Sequence, residues 1–370
     1  MRSSTPLQAA AIARLEVLEH QVARALIRLA GRAPRWLRER VQRELDGARL
    51  HPELELLLVV KGLIGGSRIG ADDPKVARAR LKRDARVHAG APEQVAAVRD
   101  LTFDGPGGPL RARHYTPFAK GRRPRPLLVF FHGGGFVTGD LDTHDPPCRV
   151  LCRALDVHVL AIDYRLAPEH PFPAAVEDAR AALRFAQASA TSLGADPARI
   201  GVAGDSAGGN LATVATQLAV QAGEPPPVVQ LLFYPTVDST VDRPSMELFG
   251  EGFFLTRADI AWFRKQYVPQ GNFADPRVSP LLGRLAGLPP AVIVTAGFDP
   301  LRDEGEAYVE ALRAAGSEAV LYRVPDLIHG FLNLGSLSRA SQEAVLHVAG
   351  LARDLLESPR APDPQRSTRA

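Results

Sequence analysis

Along the first part of the chain, apolar residues recur at three- and four-residue steps. Leu15, Leu18, Val22, Leu26 and Leu29 keep that spacing, which predicts helix over 7–46, divided in two by Gly31 and Pro34. Proline is pre-organised for a first helical turn, so Pro52 predicts a helix over Glu53–Gly62 and Pro74 another reaching Ala89. No strand is expected before about residue 95. Near Gln94 the period changes. Val95–Phe103 and Leu110–Tyr115 flank the turn-rich Asp104-Gly105-Pro106-Gly107-Gly108-Pro109 and predict a hairpin. Short apolar runs then alternate with helical stretches: Leu127–Phe131, Val157–Ile162, Ile200–Ala203, Val228–Tyr234, Ala291–Thr295 and Ala319–Val324. Near-continuous apolar runs of this length are strands buried on both faces, so the fold class is α/β with a mostly parallel sheet covered by helices.

Two stretches break the alternation. Residues 236–290 are rich in Phe, Pro and Gly and read as an insertion of the kind that forms a lid or cap. From Ser358 the chain is Pro, Arg, Ser and Asp, the composition of a disordered tail. The expected organisation is an N-terminal helical extension and cap over 1–95, a catalytic body over 96–357 and a tail over 358–370.

Composition narrows the class. With 370 residues and 45% hydrophobic content the chain builds its own core, as one large domain or one plus a cap. Its two cysteines, Cys148 and Cys152, exclude a disulfide framework; four apart on an expected helix, they read as small packed hydrophobes. The best candidate for a span, Leu54–Val60, is broken by Glu55 and stopped by Lys61 and Gly62, so no membrane span is expected. The start lacks the apolar segment of a secretory signal, and a cytoplasmic protein is the expectation.

Net charge is +4, but it is uneven. Residues 1–100 hold 19 basic and 12 acidic side chains, a net of +7; the rest hold 26 and 29, a net of −3. This distribution argues against a nucleic-acid binder and for two units with different jobs. The basic helices read as a solvated face, with peripheral contact to an anionic membrane as the sharper alternative.

The chemistry centres on Gly204-Asp205-Ser206-Ala207-Gly208, a G-x-S-x-G placed between an expected strand and an expected helix. A serine at such a turn is held exposed, with a helix N-terminus beside it. It needs a base, and the base an orienting acid. In this architecture the chain order is serine, acid, histidine. Only His329 and His347 follow Ser206; His347 lies in a helical stretch, whereas His329 lies in a loop after the last strand. Asp299, just beyond the strand Ala291–Thr295, is the preferred acid over Asp326. His132-Gly133-Gly134-Gly135-Phe136 follows a strand and offers bare backbone N–H groups. Gly133, Gly134 and Ala207 are the expected oxyanion donors, with His132 holding the loop rather than moving protons. Phe136, Val137, Phe253, Phe254, Phe331 and Leu332 are candidate walls of an apolar pocket.

These motifs resemble the hormone-sensitive-lipase-like (family IV) esterases of the α/β-hydrolase superfamily. The resemblance spans about residues 50–355. It also rests on Asp163-Tyr164-Arg165-Leu166-Ala167-Pro168-Glu169, Phe298-Asp299-Pro300-Leu301-Arg302-Asp303-Glu304, Ile328-His329-Gly330-Phe331 and Asp275-Pro276-Arg277-Val278-Ser279-Pro280-Leu281. It implies an eight-stranded sheet, a cap built from the N-terminal helices and 236–290, and hydrolysis of short-to-medium acyl esters by Ser206, Asp299 and His329. It further implies no metal or organic cofactor, a support role for the 163–173 segment, and a homodimer through the last strand. An amidase, lactonase or deacetylase could use the same triad, and a non-catalytic receptor shares the fold but would lack His329. The stretch before Leu50 is longer than the resemblance explains.

Overall fold

The computed structural model describes residues 21, 22, 25, 44–63, 73–118 and 124–357. The helices expected over 7–43 and the tail from 358 lie outside the described residues, apart from helical Gln21, Val22 and Ala25. Residues 44–49 are not the end of a helix but a small antiparallel hairpin, β1 (Glu44–Leu45) and β2 (Ala48–Arg49). Asp46 and Gly47 both take positive φ there, which reverses the chain within two residues.

Helices α1 (Pro52–Leu63) and α2 (Pro74–Ala89) follow, each with proline in its first turn. Asp73 caps α2 by accepting the Lys75 N–H at 2.7 Å. The sheet starts with the antiparallel pair β3 (Ala97–Gly105) and β4 (Gly108–Thr116). It continues through β5 (Arg125–Phe131), α3 (Asp145–Leu155), β6 (His158–Asp163), α4 (Ala174–Ser189), β7 (Ala195–Asp205), α5 (Ala207–Gln221) and β8 (Gln230–Phe233). The interrupting stretch holds α6 (Pro244–Phe249) and α7 (Arg257–Tyr267). The chain closes with β9 (Ala291–Phe298), α8 (Arg302–Ala314), β10 (Ala319–Ile328) and α9 (Arg339–Glu357).

Eight strands form one sheet in the order β10-β9-β8-β7-β5-β6-β4-β3. Among the described residues of this sheet, only the pairs β3–β4 and β4–β6 are antiparallel. Alternate residues of β5 serve two cores. Leu127, Val129 and Phe131 pack toward α4, α5 and α8, while Leu128 and Phe130 pack toward α3, α9 and α1. This two-sided burial is why the strands read as unbroken apolar runs. The order reverses at β5: the chain leaves it for β6 on one side, then returns to β7 on the other. The loops after β5 and β7 therefore diverge from adjacent carboxyl ends and open a crevice, the usual place for a site in such sheets.

α1 and α2 are held differently. α1 buries Leu54 and Leu57 fully or nearly so, each contributing about 1.5–3 kcal/mol. α2 is polar and docks by charge. Arg78 donates to Val137 O and Ala167 O, both at 2.8 Å, and to the Glu169 carboxylate at 2.6 and 2.9 Å. Lys82 pairs with Asp140 at 2.9 Å and Asp142 at 2.8 Å. Part of the basic excess in the first hundred residues thus complements acids of the following body, rather than forming a purely solvated face.

Candidate active site

Ser206 sits between β7 and α5 with φ 55° and ψ −117°, a left-handed conformation that an L-residue adopts only when the surroundings impose it. The chain passes so tightly that a β-carbon on Gly208 would lie 1.9 Å from Phe131 O. His329 follows β10, and Asp299 follows β9. Ser206 Oγ lies 3.1 Å from His329 Nε2, and His329 Nδ1 lies 2.8 Å from Asp299 Oδ2. The other Asp299 oxygen accepts the Leu301 N–H at 2.8 Å. Asp299 is completely buried and His329 nearly so. Three side chains from three loops form one hydrogen-bonded line. His347 instead is exposed on α9, its ring tilted against that of Tyr322. The partner of His329 is Asp299, not Asp326, whose backbone carbonyl accepts from His51.

The glycine loop differs from the sequence expectation at one position. The Gly133 N–H is already used: it donates to Asp205 Oδ1 at 2.8 Å. Gly134 and Gly135 take φ of 117° and 61°, and among the described residues no acceptor is seen for their N–H groups or for that of Ala207. All of these glycines, with Ala207, line the cavity. The sequence could not show that Asp205, inside the nucleophile motif, reaches across to claim the first glycine. Burial alone would raise the Asp205 pKa, but neighbouring His144 and the Gly133 N–H outweigh it and hold the carboxyl below its ordinary value.

His132 is a brace, as expected. Its Nδ1 donates to Gly133 O at 2.8 Å, its ring stacks on Tyr164, and Tyr164 OH donates to His132 O at 2.7 Å. Burial lowers its pKa to about 4, so the ring is neutral near pH 7. Tyr234 went unrecognised in the sequence. Its ring packs 4.6 Å from His329, and its hydroxyl accepts the Leu332 N–H at 3.2 Å, tying down the histidine loop. In the 163–173 segment, Arg165 grips buried Asp178 through its side chain and backbone N–H, while Glu169 anchors α2. Arg78 beside it pulls the Glu169 pKa down to about 2.

Ser206 and His329 open on a cavity of about 180 Å³. α2 forms one wall with Ala77, Leu81 and Ala85; the stretch 236–290 forms another with Leu255, Ile260, Phe263 and Tyr267. Of the six expected wall residues, Phe136 and Phe254 line it. The other four are core. Val137 is buried under the glycine loop, and Phe253 packs against Phe249 and Phe298. Phe331 meets Phe233 and Tyr234, and Leu332 is buried beside it. The reason is local geometry. Phe254 has φ 79°, so the chain bends between Phe253 and Phe254 and sends them to different surroundings. Cys148 and Cys152 are buried free thiols on α3, and burial pushes Cys152 up to about 12.

Residues 128–333 match the family model described as alpha/beta hydrolase fold. The chain belongs to the α/β-hydrolase fold family. Within it, the chain is similar to the carboxylic ester hydrolase LipN of Mycobacterium tuberculosis, 51% identical over 306 residues and covering 80% of this chain and 81% of that protein. The ethyl acetate hydrolase of Pseudomonas putida is 37% identical over 314 residues, covering 81% of this chain and 97% of its own. Among solved α/β hydrolases, the thermostable carboxylesterase EstE1 from a metagenomic library superimposes with a TM-score of 0.75 at 43% identity, covering 79% of this chain and all of that one. The esterase of Pyrobaculum calidifontis gives 0.75 at 38% identity, covering 82% and 98%. Among the described residues no helix is long and apolar enough to cross a membrane.

Proposed function

We propose that this α/β hydrolase is a serine carboxylic ester hydrolase in which Ser206 is the nucleophile, His329 the general base and acid, and Asp299 the orienting carboxylate. The observation that carries this reading is the unbroken line Ser206–His329–Asp299, at 3.1 and 2.8 Å, at the wall of the cavity. Ser206 Oγ attacks the ester carbonyl as its proton passes to His329 Nε2. The negative charge on Asp299 favours the imidazolium that forms. Gly134, Gly135 and Ala207 N–H groups receive the developing oxyanion, while Gly133 holds the loop through Asp205. The imidazolium then protonates the leaving alcohol. Water, deprotonated by the same ring, releases the acid and restores Ser206.

α2 and the 236–290 stretch act as the cap of the site. The cavity volume of about 180 Å³ supports short-to-medium acyl groups over long ones. A homodimer through β10 and a cytoplasmic location belong to the same proposal, the second supported by the free thiols of α3.

The test is hydrolysis of 4-nitrophenyl esters from acetyl to palmitoyl by the purified protein, with matched 4-nitroanilides for amide cleavage. Activity should be greatest at the short end and disappear in Ser206→Ala. Turnover retained in that variant would overturn the assignment.

A further inference from the structure

Lys61, at the end of α1, lies on the cavity wall, yet the hydrolytic steps make no use of it. Its ammonium sits 4.3 Å from the centroid of the Phe254 ring. Phe254 in turn reaches Gly330: a β-carbon placed there would meet the ring edge at 3.2 Å. His329, Gly330, Phe254 and Lys61 therefore follow one another, with the cation a single aromatic ring away from the residue after the catalytic histidine.

Among the described residues no carboxylate oxygen lies within ion-pairing distance of Lys61 Nζ. Asp84 and Asp259 act on it only from further off, and the Asp259 carboxylate is engaged by the Thr256 hydroxyl and N–H at 2.6 and 3.1 Å. Burial lowers the Lys61 pKa below the ordinary lysine value. Arg264, on α7 in the lining of the same cavity, keeps a buried Nη2 with no hydrogen-bond partner among the described residues. Lys61 is half-buried, and a cation that has lost part of its water without gaining a counter-ion gains when a ligand brings an anion. Lys61 and Ser206 line the same cavity, whose lining is largely apolar and suited to a methylene chain.

We propose that Lys61 is a specificity-determining residue that selects esters whose acyl arm ends in an anionic group, above all a carboxylate, seated on the ammonium with its methylenes over Phe254. The proposal rests on the ester-hydrolase reading. It concerns the remote end of the substrate and leaves the reacting groups unchanged.

The test compares mono-4-nitrophenyl adipate with the uncharged methyl 4-nitrophenyl diester, on wild type, Lys61→Met and Lys61→Arg. Methionine keeps the stem and its contact with Phe254; arginine keeps the charge. For Lys61→Met, kcat/KM on the half-ester should fall about tenfold, the size of one charge-assisted hydrogen bond, with the diester nearly unchanged. Lys61→Arg should keep the half-ester rate. An equal half-ester to diester ratio in wild type and Lys61→Met would overturn the proposal. So would a parallel loss of both substrates in the two variants, which marks a structural lysine. Hydrolysis of the diester without Lys61-dependent preference defeats this proposal alone; no hydrolysis of either ester by wild type defeats the ester-hydrolase reading with it.

Discussion

The Gly133 N–H donates to Asp205 Oδ1 at 2.8 Å, joining the loop after β5 to the last residue of β7. In the proposed mechanism this bond sets which glycines face the substrate. It commits the first N–H to the scaffold and, among the described residues, leaves the next two without an acceptor. Asp205→Ala should cut kcat/KM on 4-nitrophenyl butyrate about 10²-fold, the cost of disordering one oxyanion donor, while the melting transition stays cooperative. Weaker binding of a phosphonate transition-state mimic would accompany it. A variant with wild-type kinetics would show that the bond does not position the loop.

Asp299 is wholly buried and spends one oxygen on His329 and the other on the Leu301 N–H. Asp299→Asn preserves shape but removes the charge and favours the wrong imidazole tautomer. The expected loss is about 10⁴ in kcat. Steady-state kinetics beside a circular dichroism spectrum separates that loss from unfolding.

Arg78 joins α2 to two backbone carbonyls and Glu169, and both ion-pairing side chains are partly exposed. Arg78→Met should loosen this wall of the cavity and raise KM about threefold, the scale of one such ion pair, with little change in kcat. High salt should raise the wild-type KM in the same direction, because exposed charges are screened.

Glu304 lies inside α8 and accepts the Val237 N–H at 2.8 Å. Burial pushes its pKa up to about 7. A group raised in the folded state contributes stability that is present below its unfolded pKa and is lost as pH rises through the folded one. Stability should therefore decline between about pH 5 and pH 8, by up to about 3 kcal/mol from this group. Glu304→Gln keeps an acceptor for Val237 and should flatten that decline in urea titrations across the range.

Phe254 and Phe331 separate pocket from core. Phe254→Ala should change the preferred acyl length with little effect on stability. Phe331→Ala should cost about 3–5 kcal/mol as a cavity in a packed interior. Acyl-series kinetics and denaturant melts of the two variants check the contrast.

Much of this arrangement is legible before any coordinates. Strands buried on both faces leave unbroken apolar runs, and a strand-to-helix elbow needs small residues around its serine. The architecture, and the choice of Ser206, Asp299 and His329 as the proposed triad, therefore come from pattern and chain order. The 44–49 hairpin escapes that reading because two-residue strands carry no period, and positive φ at Asp46 and Gly47, not hydrophobicity, makes the turn. Contacts between distant segments are equally silent. That Asp205 occupies Gly133, that Tyr234 backs His329, and that Phe253 and Phe254 part company depend on backbone direction and on neighbours far away in sequence. The one-dimensional pattern records which residues must be buried or flexible. Only packing in three dimensions decides which hydrogen bond a given N–H makes and which side of a wall a given ring faces.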